Sequence, residues 1–278
     1  MMNLLFATTL KVLMIGNSFS LQMQKEMPPI AADLGLELDI CSMYIGGCSL
    51  ERHWQNVQAA TNAAFRPYYI DRNRLGERLK RFAANIPEML LAEKWDVVTI
   101  QQASHFSWQP ATYQPWGDRL VAYIREKAPQ AKIVVQETWS YTPWDGRLAK
   151  WGIDQNVMYA ALHAAYGDFA AKHKLEVIPT GTAVQLWRRS LPVRYAADSL
   201  GGDVVGSAMF ARNEKTGAWA PKGDVFHMGP TGNYLQALVW AAKLFNVDVS
   251  ACKYAPKGVG FEPERVELMK RVAMRAVK

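Results

Sequence analysis

Residues 11–20, KVLMIGNSFS, change character in mid-segment. The run Val12-Leu13-Met14-Ile15 is wholly apolar, as a strand covered on both faces of a parallel sheet must be. Gly16-Asn17-Ser18 reverses that character within three residues, and an amphipathic segment then runs on towards Leu34. A strand that stops at a glycine turn and feeds a helix places the turn at the carboxyl edge of its sheet, where open α/β folds hold ligands. Ser18 is therefore expected to be presented rather than buried. Its N–H would lie at a helix N-terminus, where unpaired amides and the helix dipole favour negative charge.

The same alternation continues along the chain. A second strand at 36–44 (LELDICSMY) ends at Ile45-Gly46-Gly47-Cys48-Ser49, and a third at 95–101 (WDVVTIQ) runs into Gln102-Ala103-Ser104-His105. Further strands are expected at 132–137 and 175–178, with helices over 76–94 (kinked or split at Pro87), 115–127, 154–173 and 230–245. Segment 56–74 lacks a clear period and is expected to pack over the surface. Residues 138–144 form an aromatic loop, and the tail 263–277 one more short helix. Between 191 and 223 the pattern breaks, with Gly201-Gly202 and a hairpin near 213–217; so long an irregular stretch is usually functional or mobile. Strands alternating with helices imply a parallel sheet with helices on both faces. A single domain over 1–278 is expected, with its core at 11–245, an insertion at 191–223 and a tail at 246–278.

Half of the 278 residues are hydrophobic, which suits a sizeable core and excludes a disordered chain. The net charge of +7 is scattered, with no basic run longer than the Arg188-Arg189 pair. That describes a solvated basic surface with some attraction for acidic substrates, and no nucleic-acid groove. Cys41, Cys48 and Cys252 cannot all pair within one chain and show no metal-type spacing, so free thiols and no metal are expected. The apolar start MMNLLFATTL has no basic n-region, and no apolar run reaches membrane-spanning length. A cytoplasmic protein without a membrane span is the expectation, with export left open.

Polar residues mark three strand ends and the approach to the last long helix: Ser18, Gly47, the Gln102 to His105 turn, and Asp224-Val225-Phe226-His227. Acyl transfer needs a nucleophile, a base, a group to orient the base and donors for an oxyanion, and this set supplies all four. Ser18 is the candidate nucleophile, although Gly-Asn-Ser alone is as well explained as a helix cap. His227 is the candidate base and Asp224 its orienting carboxylate, against the plainer reading of a surface Asp-x-x-His. Gly47 through its N–H, and Gln102 or His105 through a side chain, are candidate oxyanion donors. His53, His163 and His173 have no evident partners and read as structural or surface residues.

The order of these blocks resembles that of the SGNH (GDSL-like) hydrolases, from residue 11 to about 245. GNSFS matches the family's first block, with Asn17 where aspartate is commoner; Gly47 in GGCS matches the second. GDVFHMGPTGNYLQALVW matches the fifth block, with Asp224 and His227 in the triad positions. The third block departs, since Ala103-Ser104-His105-Phe106 stands where the family has Gly-x-Asn-Asp. By register His105 replaces the asparagine donor, whereas Gln102 resembles the glutamine of the sialate-acetylesterase-like branch. The resemblance implies a flavodoxin-like three-layer α/β/α sandwich with a parallel sheet of about five strands. It implies a serine esterase without cofactor, in which Ser18, His227 and Asp224 form the triad and the N–H groups of Ser18 and Gly47 help bind the oxyanion.

The loops carry Trp108, Trp116, Trp139, Tyr141 and Trp144 among polar residues, a composition better suited to stacking on a sugar than to an acyl-chain channel. The expected substrate is an O-acetylated carbohydrate, with Asn17, Trp108, Trp139 and Tyr141 as binding residues. A thioesterase or lysophospholipase, and a non-catalytic carbohydrate-binding protein, are the alternatives.

Overall fold

The computed structural model describes residues 9–74, 76–79, 81–190, 203–205, 209–212, 219–222 and 224–278, with 209–212 and 219–222 as backbone. The chain begins with β1 (Leu10–Gly16), the short α1 (Ser18–Leu21), a 3-10 turn at Gln22–Lys25, α2 (Met27–Asp33), β2 (Leu38–Tyr44) and α3 (Leu50–Ala59). Next come β3 (Tyr68–Arg74), β4 (Glu77–Arg78), β5 (Phe82–Ala84), α4 (Ile86–Ala92), β6 (Val97–Ile100), α5 (Trp116–Lys127) and β7 (Lys132–Gln136). The remainder is α6 (Gly146–Trp151), α7 (Gln155–His173), β8 (Glu176–Ile178), α8 (Thr180–Ser190), β9 (Met209–Arg212), β10 (Trp219–Lys222), α9 (Pro230–Phe245) and α10 (Pro263–Ala276).

The main sheet runs β4-β3-β2-β1-β6-β7-β8, with β5 also paired to β3. The five strands from β2 to β8 are mutually parallel, and β3, β4 and β5 extend them in antiparallel fashion. β1 is central, and Val12 to Ile15 are at most 1% exposed, as the apolar run requires. One helical layer contains α2, α8, α9 and α10, and the other contains α3, α4, α5 and α7. This is the expected three-layer sandwich, with a sheet wider than five strands.

α7 starts where Asp154 accepts the Val157 N–H and ends at Lys174 in the left-handed conformation. α9 has proline in its first turn and buries much of its length between neighbours. No described helix is long and apolar enough to cross a membrane.

Two expectations fail in the same region. Segment 56–74 ends in β3, and the first half of 76–94 forms β4 and β5 rather than helix. Alternation in β3 is obscured because its charged residues are drawn into ion pairs: Arg72 meets Asp39 and Glu93, and buried Asp71 meets Arg78 and Arg81. Pro87 starts α4 instead of kinking a longer helix, after Asn85 caps it by accepting the Glu88 N–H. Helices α3, α6 and α8 add to the elements that the sequence pattern predicts. The hairpin near 213–217 has its tip outside the described residues, but the flanking β9 and β10 pair antiparallel. The rest of the insertion, apart from 203–205, and residues 1–8 also lie outside them.

Candidate active site

The turn after β1 closes tightly. At Gly16 a Cβ would stand 2.4 Å from Ser20 Oγ, so any side chain there would push that hydroxyl off its bond to the Asn17 carbonyl. Asn17 caps α1, its Oδ1 accepting from Phe19 N–H at 3.0 Å and from Gln101 Nε2 at 2.6 Å. Ser18 is thereby held as the first residue of α1, and its Oγ stands 2.7 Å from His227 Nε2.

His227 lies just before α9, 209 residues further along the chain. Its Nδ1 hydrogen-bonds Asp224 Oδ2. Asp224 Oδ1 accepts the backbone N–H groups of Phe226 and His227, each at 2.9 Å. Burial pushes the Asp224 carboxyl up, but those two N–H groups and the imidazole outweigh it and hold the carboxyl below its ordinary range. With an ionised carboxylate at Nδ1, the ring proton sits there and Nε2 is left to accept from the Ser18 hydroxyl. The arrangement can therefore draw a proton from Ser18 onto His227.

A cavity of about 310 Å³ opens over this pair, lined also by Tyr44, Gly47, Ser104, His105, Arg147 and Phe226. Gly47 adopts φ +59°, and a Cβ placed on it would lie 4.0 Å from the His105 ring. Neither the Ser18 nor the Gly47 N–H has an acceptor among the described residues. Burial, aided by the Arg147 charge, pushes the His105 imidazole below its ordinary value and so favours the neutral ring. Trp108 Nε1 and Gln109 Nε2 both donate to the His105 carbonyl and fix that turn.

Several expected site residues have other uses. Gln102 is 1% exposed: its Oε1 accepts from the N–H groups of Leu50 and Ala103, and its Nε2 donates to Thr112. It is therefore a brace beneath the turn, not an oxyanion donor. Trp139 and Tyr141 are fully buried, Trp139 stacked on Phe19 at 4.1 Å and Tyr141 hydrogen-bonded to Ser104, so neither offers a sugar-stacking face. Trp108 packs on Trp151 outside the cavity lining. Asn17 reaches the lining, but both ends of its carboxamide hold the turn, Oδ1 through Phe19 and Gln101 and Nδ2 by donating to Cys48 O, so its first role is to position the turn.

No sequence pattern singles out Arg147. Its guanidinium is paired to Asp145 and lies over the Tyr141 and Phe226 rings at 4.1 and 4.2 Å. Tyr44 is the last residue of β2, and Phe226 sits inside the Asp224 to His227 block. Their positions at a strand end and beside the histidine were the available signals. Among the described residues no group of three or more His, Cys, Asp or Glu is gathered as metal ligands. Cys41, Cys48 and Cys252 are buried free thiols.

The fold is shared with known structures. A DUF4886 family protein from Bacteroides uniformis is 28% identical, with a TM-score of 0.79 over 97% of this chain and 95% of its own. A candidate SGNH hydrolase from Slackia heliotrinireducens is 23% identical, with a TM-score of 0.53 over 85% of this chain and 100% of its own. The lipase/acylhydrolase from Enterococcus faecalis is 14% identical, with a TM-score of 0.50 over 90% of this chain and 100% of its own. The architecture is thus of the SGNH-hydrolase type. No curated protein matches the sequence. The model of the domain of unknown function DUF4886 matches residues 11–196, more than half of the chain, and the chain belongs to that family.

Proposed function

We propose that this protein is a serine ester hydrolase that removes small acyl groups, acetyl above all, from a carbohydrate. The observation that carries the reading is the chain of hydrogen bonds from Ser18 Oγ through His227 to Asp224, with Ser18 and His227 lining a cavity. Ser18 Oγ attacks the ester carbonyl while its proton passes to His227 Nε2. The N–H groups of Ser18 and Gly47, with the His105 ring, stabilise the oxyanion. Collapse breaks the ester C–O bond, and the leaving alkoxide takes the proton from His227. Water then attacks the acyl-enzyme, giving its proton to His227, which returns it to Ser18 as the carboxylic acid departs.

A small acyl group is favoured because the cavity measures only about 310 Å³ and its Phe19, Tyr44 and Phe226 rings are interrupted by Ser104, His105 and Arg147, unlike the continuous apolar channel that a long chain needs. The carbohydrate half of the reading rests on Tyr44 in the lining and on the exposed Tyr69 paired opposite it on β3, two rings that offer aromatic surface to a sugar. A fluorophosphonate probe should label the wild type and not Ser18→Ala. In a p-nitrophenyl ester series, the acetate should be turned over fastest. Faster turnover of long-chain esters would favour the lysophospholipase or thioesterase alternative, and an unlabelled Ser18 would overturn the enzyme reading in favour of a binding protein.

A further inference from the structure

Beside the catalytic pocket lies a second cavity of about 390 Å³, bounded by the 3-10 turn Gln22–Lys25 on one side and by β3 and its extension on the other. Its lining carries three cations, Lys25, Arg78 and Arg81, against one carboxylate, Asp71. We propose that this trough is a subsite for the carboxylate of an acidic sugar unit in the ester substrate. The subsite deepens the esterase reading and rests on it for the fate of the acyl group.

The charge arrangement is built in advance. Asp71 is 4% exposed and accepts from Arg78 Nε at 3.1 Å and from Arg81 Nη2 at 3.2 Å. One carboxylate orients two guanidinium groups and neutralises only one of them. Both arginine side chains stay about half exposed, so their outer N–H edges face solvent. Lys25 is exposed and has no anionic partner among the described residues. The excess of two positive charges sits around a concave site, and arginine held in this way recognises carboxylates with little further loss of freedom.

The trough and the serine share one side of the sheet. Gln22, in the trough wall, lies four residues after Ser18, and its Oε1 accepts the N–H of Met228, the neighbour of His227. Tyr69 projects on the same face of β3 as Asp71 and stands directly opposite Tyr44, which lines the catalytic cavity. The Arg81 guanidinium lies 5.0 Å from the centre of the Tyr69 ring. Between β3 and β1 there are two strand spacings, roughly 10 Å. An extended substrate with its ester at Ser18 therefore passes Tyr44 and Tyr69 before its next charged unit meets the cations. An exposed aromatic ring next to a guanidinium suits a sugar that bears an acid, since the ring packs on C–H groups and the cation takes the carboxylate.

The test measures calorimetric binding of a short oligogalacturonate, and of a neutral oligoglucoside of equal length, to the full chain. Lys25→Glu reverses an exposed, unpaired charge, and Arg78→Gln leaves Arg81 on Asp71, so neither variant strands the buried carboxylate. The oligogalacturonate should bind the wild type, weaken with added salt, and lose about tenfold in affinity in Lys25→Glu. Equal binding of the neutral oligomer, or unchanged affinity in both variants, would overturn the subsite. Fluorophosphonate labelling of Ser18 in the same samples separates the two readings. A labelled serine without oligogalacturonate binding refutes the trough alone. Charge-dependent binding with an unlabelled serine supports the acidic-sugar site and refutes the esterase.

Discussion

Asn17 Nδ2 donates to the carbonyl of Cys48 across 3.1 Å, and this bond ties the turn carrying Ser18 to the turn carrying Gly47. The same carboxamide caps α1 and receives Gln101 from the end of β6, so one buried side chain joins three strand ends. The relative placement of Ser18 and Gly47 is thus set by a side chain that is hydrogen-bonded through both its oxygen and its nitrogen.

Asn17→Ala is therefore expected to destabilise the protein by about 2 to 4 kcal/mol, from a lost cap and buried partners left unpaired. In the fraction that stays folded, kcat should fall more than KM rises. Thermal unfolding together with steady-state kinetics on p-nitrophenyl acetate checks both parts.

Ser18→Ala should reduce turnover by at least about 10⁴-fold, and Asp224→Asn by about the same factor, because the amide lets the wrong nitrogen of His227 carry the proton. Unfolding midpoints near the wild-type value would show that the loss lies in the chemistry. Retention of more than a tenth of the activity in either variant would refute the triad.

His105→Ala and Gln102→Ala separate the two donors that the sequence left open. The first should lower kcat by on the order of a hundredfold with little change in stability, as expected for a lost oxyanion donor. The second removes the acceptor for the N–H groups of Leu50 and Ala103 and should cost about 2 to 3 kcal/mol in stability.

Gly47→Ala places a side chain at φ +59° beside the His105 ring. Backbone strain of about 1 to 2 kcal/mol is expected, along with reduced kcat as the donor N–H shifts. Paired thermal melts and activity assays give both quantities.

Acid sensitivity should begin well above the carboxylate range. His53 is completely buried, its Nδ1 bonded to Tyr68 OH at 2.7 Å, and burial pushes the imidazole down to about 3 from 6.5. The unfolded chain thus takes up that proton first, and stability must fall as pH drops from 6.5 towards 3, by up to about 1.4 kcal/mol per pH unit. Asp224, whose carboxyl is held low, adds its own loss only below about pH 4. Urea melts between pH 7 and 4.5 should show the slope, and His53→Gln should flatten it.

Much of this molecule was legible in one dimension. The apolar run at Val12 to Ile15, the glycine turn after it and the capped, Ala-rich α7 are local features, and local dihedral preference and side-chain period record them directly. Asp224 and His227 could be picked out because their spacing of three lets one loop join them. β3 was not legible, since buried Asp71 and half-buried Arg72 break its alternation and are neutralised by partners that only tertiary packing supplies.

The sequence by itself determined a parallel α/β sheet that sets Ser18, Gly47, the third-strand turn and the Asp-x-x-His block along one edge. Only the tertiary structure decided which polar groups remain free there. Gln102 is satisfied by Leu50, Ala103 and Thr112, and Trp139 and Tyr141 are covered by other chain segments, whereas the His105 ring stays in the cavity. Residue spacing encodes where the backbone turns, but whether a donor is consumed depends on partners from distant segments, which meet it only once the layers have packed.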